Sequence, residues 1–345
     1  MEYWYIGIVF LILFMRVRIR IKNRIQTEKK IDEKLVLFIG GIRQYFSIRG
    51  KDIDNPVVLF LHGGPGGPMT SVAYKYQYLW EQKYTVVNWE QRNAGKTYFM
   101  NKEKERVIAD NLSIDIFVDD IYEIAIYLTE RFHTDKIIIM GHSWGTIIGS
   151  LFAIRYPSLV KAYIGIGQVI NLNDGIIKMA EYTLSYATEY NQQKHMAALN
   201  QYIRDLKNQK DIGFKQLDHI TKIARNYIPT ETDKTKLLRT LILSPYFSLK
   251  ELSYYFKMDR LQKKIVGELS CFDLRMYGNK YDVPIIYILG EMDWCSKIIA
   301  KEYFENIESP LKQYIEIGKS GHIPMLDKPE EFYENFDLAI SKLTK

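Results

Sequence analysis

An alternating α/β architecture, with a mostly parallel sheet covered by helices on both faces, is predicted for this chain of 345 residues. Three observations predict it. Several segments are continuous apolar runs of β-forming residues, such as Ile137–Met140 and Ile285–Leu289, and runs of this kind fit strands buried on both faces. Helix-patterned stretches separate these runs. The loops that leave three of them carry residue types belonging to one reaction chemistry.

Strand signals recur at Val36–Ile39, Val57–Leu61, Thr85–Val87, Ile137–Met140, Tyr163–Ile166, Ile285–Leu289 and Tyr314–Ile317. Ile114–Phe132 reads as a helix, with Asp115, Asp119 and Asp120 near its start and Arg131 at its end, as the helix dipole favours. Residues 169–282 break the alternation: they are polar, tyrosine-rich and helix-like in spacing, with only Pro229 and Pro245 to interrupt them. The expected organisation is a membrane anchor with basic flank at 1–24, a linker at 25–34, the first part of the core at 35–168, a helical cap at 169–282, and the second part of the core at 283–345. In the cap, Tyr182, Tyr186 and Tyr190 recur every four residues on one helix face, either lining a substrate cleft or packing against the core.

Residues 137–149 run as apolar β-formers into Gly141-His-Ser-Trp-Gly145 and resume in a helical pattern. A Gly-x-Ser-x-Gly between a buried strand and a helix is a nucleophile elbow, in which Ser143 takes strained backbone angles and the two glycines let strand and helix pack closely. The Trp144 N–H then points from the helix N-terminus toward a developing oxyanion.

Downstream, the strand Ile285–Leu289 ends in Gly290-Glu-Met-Asp293, and Tyr314–Ile317 is followed by Gly318-Lys-Ser-Gly-His322. Both side chains therefore leave the same sheet edge as Ser143, where His322 takes the serine proton and Asp293 holds its imidazole. Glu291 and Asp282 are the alternative acids. Of the six histidines, His62 and His142 belong to a glycine loop and the elbow, His133 precedes the elbow strand, and His195 and His219 lie in the expected cap. The strand at 57–61 runs straight into His62-Gly-Gly-Pro-Gly-Gly-Pro68, whose backbone approaches a ligand without an intervening Cβ. Gly64 is the expected second oxyanion donor, with Gly63 as the fallback. A phosphate-binding loop is excluded, since no Gly-Lys-Ser/Thr follows and the prolines remove donors.

His62–Pro68, Trp89-Glu-Gln-Arg-Asn-Ala-Gly-Lys-Thr97, Gly141–Gly145, Gly290–Asp293 and Gly321-His322 together resemble the prolyl aminopeptidase (proline iminopeptidase) branch of the α/β-hydrolases. The resemblance implies an eight-stranded sheet and a helical cap inserted before the strand that carries the acid. It also implies cap carboxylates that bind a substrate's free α-amino group, with release of an N-terminal residue. Glu181, Glu189, Glu231, Glu251 and Glu268 are candidates for that role, with Glu181 favoured because it sits early in the tyrosine helix. This chain departs from the branch where Glu90–Gly95 stands in place of Asp-Gln-Arg-Gly-x-Gly.

Tyr3–Met15 is uncharged and apolar, and Arg16, Arg18, Arg20, Lys22 and Arg24 follow it. The expectation is an uncleaved membrane anchor beside anionic lipid, with the body on the cytoplasmic face by the positive-inside tendency. Thirteen helical residues span only about 20 Å of a roughly 30 Å hydrocarbon core, unless Val17, Ile19 and Ile21 extend the span while the arginines snorkel. Residues 16–34 carry eight basic and three acidic residues of a chain whose net charge is +6. The remainder is close to neutral, so no nucleic-acid partner is expected. Cys271 and Cys295 make neither a disulfide framework nor a metal-ligand spacing, and no cofactor is expected. Cys295 reads as a small buried hydrophobe.

The expected function is therefore that of a serine hydrolase working through an acyl-enzyme on small peptides or amides with a free N-terminus. A carboxylesterase or lipase is the alternative, and a non-catalytic binding protein of the same fold is a third reading. Epoxide hydrolases and haloalkane dehalogenases use an aspartate where Ser143 stands.

Overall fold

The computed structural model describes residues 4–208, 214–227, 232 and 234–343. Its sheet comprises β1 (Ile31–Ile39), β2 (Ile42–Gly50), β3 (Val57–Leu61), β4 (Thr85–Glu90), β5 (Ile137–His142), β6 (Val160–Ile166), β7 (Ile285–Gly290) and β8 (Lys312–Ile317). They lie in the order β1-β2-β4-β3-β5-β6-β7-β8. The β1–β2 and β2–β4 pairs are antiparallel, and every pair from β4 to β8 is parallel. All residues of β3, β5 and β7 are buried, as their unbroken apolar runs require.

Around the sheet lie α1 (Trp4–Lys22), α2 (Ile114–Phe132) and α3 (Trp144–Arg155), and between β6 and β7 come α4 (Leu172–Glu189), α5 (Gln193–Lys207), α6 (Phe214–Ala224), α7 (Lys234–Leu243), α8 (Leu249–Tyr255) and α9 (Lys263–Cys271). Two further helices, α10 (Lys297–Glu305) and α11 (Pro329–Ser341), belong to the C-terminal part. Phe117 and Ile121 of α2, Leu151 of α3 and Ile299 of α10 pack into the core on one sheet face, while Phe332 and Phe336 of α11 join Trp80 on the other. The helices between β6 and β7 have a small core of their own, built from Ile176, Met179, Leu199, Ile203 and Ile220.

Strand β2 has no counterpart among the sequence-derived strands. It follows a two-residue turn at Gly40-Gly41, whose φ values of 53° and 78° and Ile39↔Ile42 register make a type I′ hairpin. Its alternation is masked by polar residues that are buried and paired. The Gln44 amide donates to Asp120 (2.9 Å) while its carbonyl accepts from the Trp89 indole (2.6 Å), and Arg49 bonds Glu81 (2.8 Å) and Asp32 (2.7 Å).

The N-terminal expectation needs correction. Among the described residues no helix is long and apolar enough to cross a membrane. Arg16, Arg18, Arg20 and Lys22 fall inside the last turns of α1, leaving only Trp4–Met15 as apolar helix, about 18 Å of rise. Nor is Arg16 free to snorkel: its guanidinium donates to the carbonyls of Ile242 (3.1 Å) and Phe247 (2.7 Å), at and beyond the end of α7. Without a spanning helix, the positive-inside argument for a cytoplasmic face loses its premise. The anchor's apolar residues are nonetheless exposed, Phe10 to 70% and Phe14 to 59%.

Asp120 of α2 is fully buried and receives two bonds from Arg92, at 2.5 and 2.6 Å. Removing one partner of a buried pair strands the other charge, so Asp120→Ala is expected to lower the unfolding free energy by about 3–5 kcal/mol. Urea titration checks this. An unchanged midpoint would show that Arg92 finds another counter-charge.

Candidate functional site

Ser143 sits between β5 and α3 with φ 53° and ψ −121°, a conformation sparsely populated by any L-residue other than glycine. Its N–H donates to the Ile166 carbonyl (2.9 Å), and its own carbonyl accepts from the Thr146 N–H (2.8 Å) and hydroxyl (2.6 Å). A Cβ at Gly145 would meet the Leu61 carbonyl at 2.1 Å, and one at Gly141 would meet the Gly145 carbonyl at 2.5 Å. Both elbow glycines are thus demanded by close backbone approach.

Asp293 follows β7 and is 2% exposed; its Oδ2 lies 2.8 Å from Nδ1 of His322. The acid and histidine loops are bonded to each other through backbone, Met292 N–H to Ser320 O at 2.8 Å, and Asp327 accepts from the Gly321 N–H at 2.8 Å. Gly167, at the end of β6, clears space for the pair: a Cβ there would come within 2.9 Å of His322 and 3.2 Å of Asp293. The alternative acids are elsewhere, since Glu291 bonds the Lys319 N–H (2.8 Å) and Asp282 is exposed.

The three site histidines divide by environment. Burial opposes the His322 imidazolium, but the adjacent Asp293 carboxylate outweighs it, so its pKa is raised above the ordinary value. Burial drives His62 down to about 4 and His142, which also faces His322, to about 3. These two are neutral struts. His62 Nε2 accepts from the Gln91 N–H (3.2 Å), which leaves Nδ1 to donate to the Gly63 carbonyl (2.9 Å), and Nε2 of His142 donates to the His322 carbonyl (2.8 Å). His133 caps α2, His195 bonds Tyr227 and His219 bonds Tyr202.

Gly64, Ser143, Trp144, Asp293 and His322 line one cavity of about 350 Å³. Gly64 has φ 122°, a value that favours glycine, and a Cβ on the neighbouring Gly63 would touch Ser143 Cβ at 3.0 Å. Trp144 opens α3, so its N–H is among those a helix leaves unpaired. Gln91 ties the two sides together, its amide donating to the His62 carbonyl (3.0 Å) and its carbonyl accepting from the Trp144 indole (2.9 Å).

Glu181, Glu189, Glu251 and Glu268 are not part of this wall. Glu181 is paired with Lys207 (2.9 Å) and Lys178 (3.6 Å), which hold its carboxyl below the usual range, and Glu189 is exposed. Glu251 is buried against Lys96 (3.1 Å) and caps α8 through the Ser248 N–H (2.7 Å), and Glu268 accepts from the Ile114 N–H at the start of α2 (2.8 Å). Glu231 lies outside the described residues. The tyrosine stripe neither lines the cavity nor forms core. Tyr182 stacks on Trp294 at 4.5 Å, and Tyr186 and Tyr190 stack on Tyr227. Cys295 does line the cavity, but burial pushes its thiol up to about 12.

Sequence reasoning missed four residues here: Gln91, Trp294, Asp327 and Arg225, the last three also lining the cavity. Gln91 stands in the Trp89–Thr97 block already singled out, and Asp327 follows His322 by five residues; Trp294 and Arg225 had no local signal. Among the described residues no group of three or more His, Cys, Asp or Glu residues could hold a metal ion.

Comparison with known proteins bears on this arrangement. A family described as having the alpha/beta hydrolase fold matches residues 56–329. The "Probable aminopeptidase YbaC" of Bacillus subtilis (strain 168) is 27% identical over 311 residues, covering 89% of this chain and 96% of that protein. The "Proline iminopeptidase" of Clostridioides difficile (strain 630) is 24% identical over 309 residues, covering 88% and 96%. The crystal structure of proline iminopeptidase from Mycobacterium smegmatis shares the fold with a TM-score of 0.66 at 17% identity, covering 90% of this chain and 98% of that one. The chain belongs to the α/β-hydrolase fold family, in its prolyl aminopeptidase-like branch, and is a hydrolase.

Proposed function

We propose that this hydrolase works through an acyl-enzyme on Ser143 and releases an N-terminal residue from small peptides or amides. One observation carries the reading: a serine at φ 53° lines the same cavity as a histidine whose Nδ1 is 2.8 Å from a buried aspartate. In this mechanism His322 Nε2 takes the Ser143 proton as Oγ attacks the carbonyl carbon. The N–H groups of Gly64 and Trp144 stabilise the oxyanion, and His322 returns the proton to the leaving amine. Water then enters, deprotonated by the same imidazole, and frees the acid as His322 returns that proton to Ser143 Oγ. Asp293 keeps Nδ1 protonated and stabilises the imidazolium. The names of the relatives support the aminopeptidase reading.

Ester cleavage is a second reading, favoured by the apolar cavity wall and by the absence from it of Glu181, Glu189, Glu251 and Glu268. Free-amine and N-acetylated alanine and proline p-nitroanilides, run beside p-nitrophenyl esters, separate the two. Anilide cleavage abolished by acetylation supports the aminopeptidase; ester cleavage alone supports the esterase.

Ser143→Ala is expected to lower kcat/KM by about 10⁴-fold or more on whichever substrate is turned over. Because the base must be neutral, the rate rises with pH through the His322 pKa, which lies above the ordinary value of about 6.5. Asp293→Asn removes the group that raises it, so the inflection moves to lower pH as the rate falls about 10⁴-fold. His62 and His142, near 4 and 3, add no inflection above pH 5. A pH–rate profile whose inflection does not move in Asp293→Asn would refute the assigned pair.

We also propose that α1 rests in a membrane surface without crossing it. Its exposed Phe10, Leu11, Leu13 and Phe14, followed along the helix by the basic Arg18, Arg20 and Lys22, support that placement. Co-sedimentation with phosphatidylserine vesicles is expected, weakening with salt and falling sharply in the Phe10→Asp/Phe14→Asp double variant. Equal recovery of both proteins in the supernatant would remove the proposal.

A further inference from the structure

The catalytic cavity holds a cation that the Ser143 chemistry does not use. Leu217, Thr221 and Arg225 recur every four residues along and just past α6, and all three line the cavity, so one stripe of this helix forms part of its wall. Arg225 continues the last turn, its N–H bonded to the Thr221 carbonyl at 3.1 Å. The residue is half-buried, and among the described residues its guanidinium has neither an ion-pair partner nor a hydrogen-bond acceptor. Of the two carboxylates lining the same cavity, Asp293 is engaged by His322, while Asp327 accepts the Gly321 N–H through one oxygen and keeps the other buried without a partner among the described residues. Neither bonds Arg225.

The cavity wall is largely apolar, with Val169, Leu172, Met179 and Val266 among its residues. A charge partly withdrawn from water ordinarily finds a counter-ion or a set of hydrogen bonds, and the described residues supply neither. A guanidinium is always charged, and its planar fork fits a carboxylate through two parallel N–H···O bonds.

We propose that Arg225 binds a carboxylate on the substrate, distinct from the scissile carbonyl, so that the preferred substrates are small apolar amides or esters carrying a free acid. The proposal rests on Ser143 being the nucleophile. Two sources share this chemistry: the C-terminal carboxylate of a short peptide, on the leaving side, and the far carboxylate of a dicarboxylic half-ester, on the acyl side.

The rate at which a fluorophosphonate labels Ser143 tests both levels on the full chain. Phenylbutyrate is expected to protect Ser143 about tenfold better than phenylbutyramide, its neutral analogue. Arg225→Gln should collapse that ratio toward one, and Arg225→Lys should keep part of it. Equal protection by acid and amide, or a ratio unmoved in Arg225→Gln, overturns the carboxylate site while leaving the nucleophile intact. Absence of Ser143-dependent labelling overturns the nucleophile and the proposal with it. Turnover then identifies the source. Preference for Ala-Phe over Ala-Phe amide points to a peptide terminus, preference for mono-p-nitrophenyl glutarate over p-nitrophenyl butyrate points to a half-ester, and no preference in either pair counts against the carboxylate site.

Discussion

The site depends on one strained residue. Holding Ser143 at φ 53° and ψ −121° costs on the order of 1–3 kcal/mol, and the surrounding structure supplies the restraint. The Ile166 carbonyl receives its N–H, Thr146 closes on its carbonyl from the next turn, and α3 is pressed against the end of β3 where Gly145 meets Leu61. Three neighbouring strands therefore converge on one backbone position. The glycine loop after β3 also touches the elbow, because a Cβ on Gly63 would meet the His142 ring at 2.9 Å and Ser143 Cβ at 3.0 Å.

Burial then sorts the polar groups. His62 and His142 are held neutral and act as spacers, His62 tying its loop to Gln91 by accepting the Gln91 N–H and His142 tying the elbow to the His322 carbonyl. His322 is more open, at 39% side-chain exposure, and faces Asp293, whose carboxylate reverses the sign of the shift. The loops carrying Asp293 and His322 are also tied through Met292 and Ser320, so the Asp293–His322 geometry rests on backbone bonds as well as on its own.

The parallel core was legible because β3, β5 and β7 are buried along their whole length and leave unbroken apolar runs. Strand β2 was not, because its buried Gln44 and Arg49 obtain partners from β4, α2 and the segment after β3, which no local window contains. At the site, Ser143, Asp293 and His322 were readable since each lies just past a strand end. Two of the candidate cap glutamates are engaged for a tertiary reason: Glu251 serves as a helix cap and Glu268 accepts another helix's first N–H. Arg225 was invisible for the same reason. Its neighbours are set by how α6 packs on α4 and α5, and nothing in a periodicity of four distinguishes the stripe facing the cavity from the one facing solvent.

The attachment of α1 has a consequence of its own. Arg16 hooks the helix to the Ile242 and Phe247 carbonyls, acceptors that carry no titratable proton, and its guanidinium keeps its charge throughout the physiological range. Acidification, which weakens ion pairs by neutralising carboxylates, therefore has no purchase on this joint. The apolar helix and the segment around α7 stay mechanically coupled under conditions that loosen the salt bridges elsewhere on the surface, so a torque applied to one is delivered to the other.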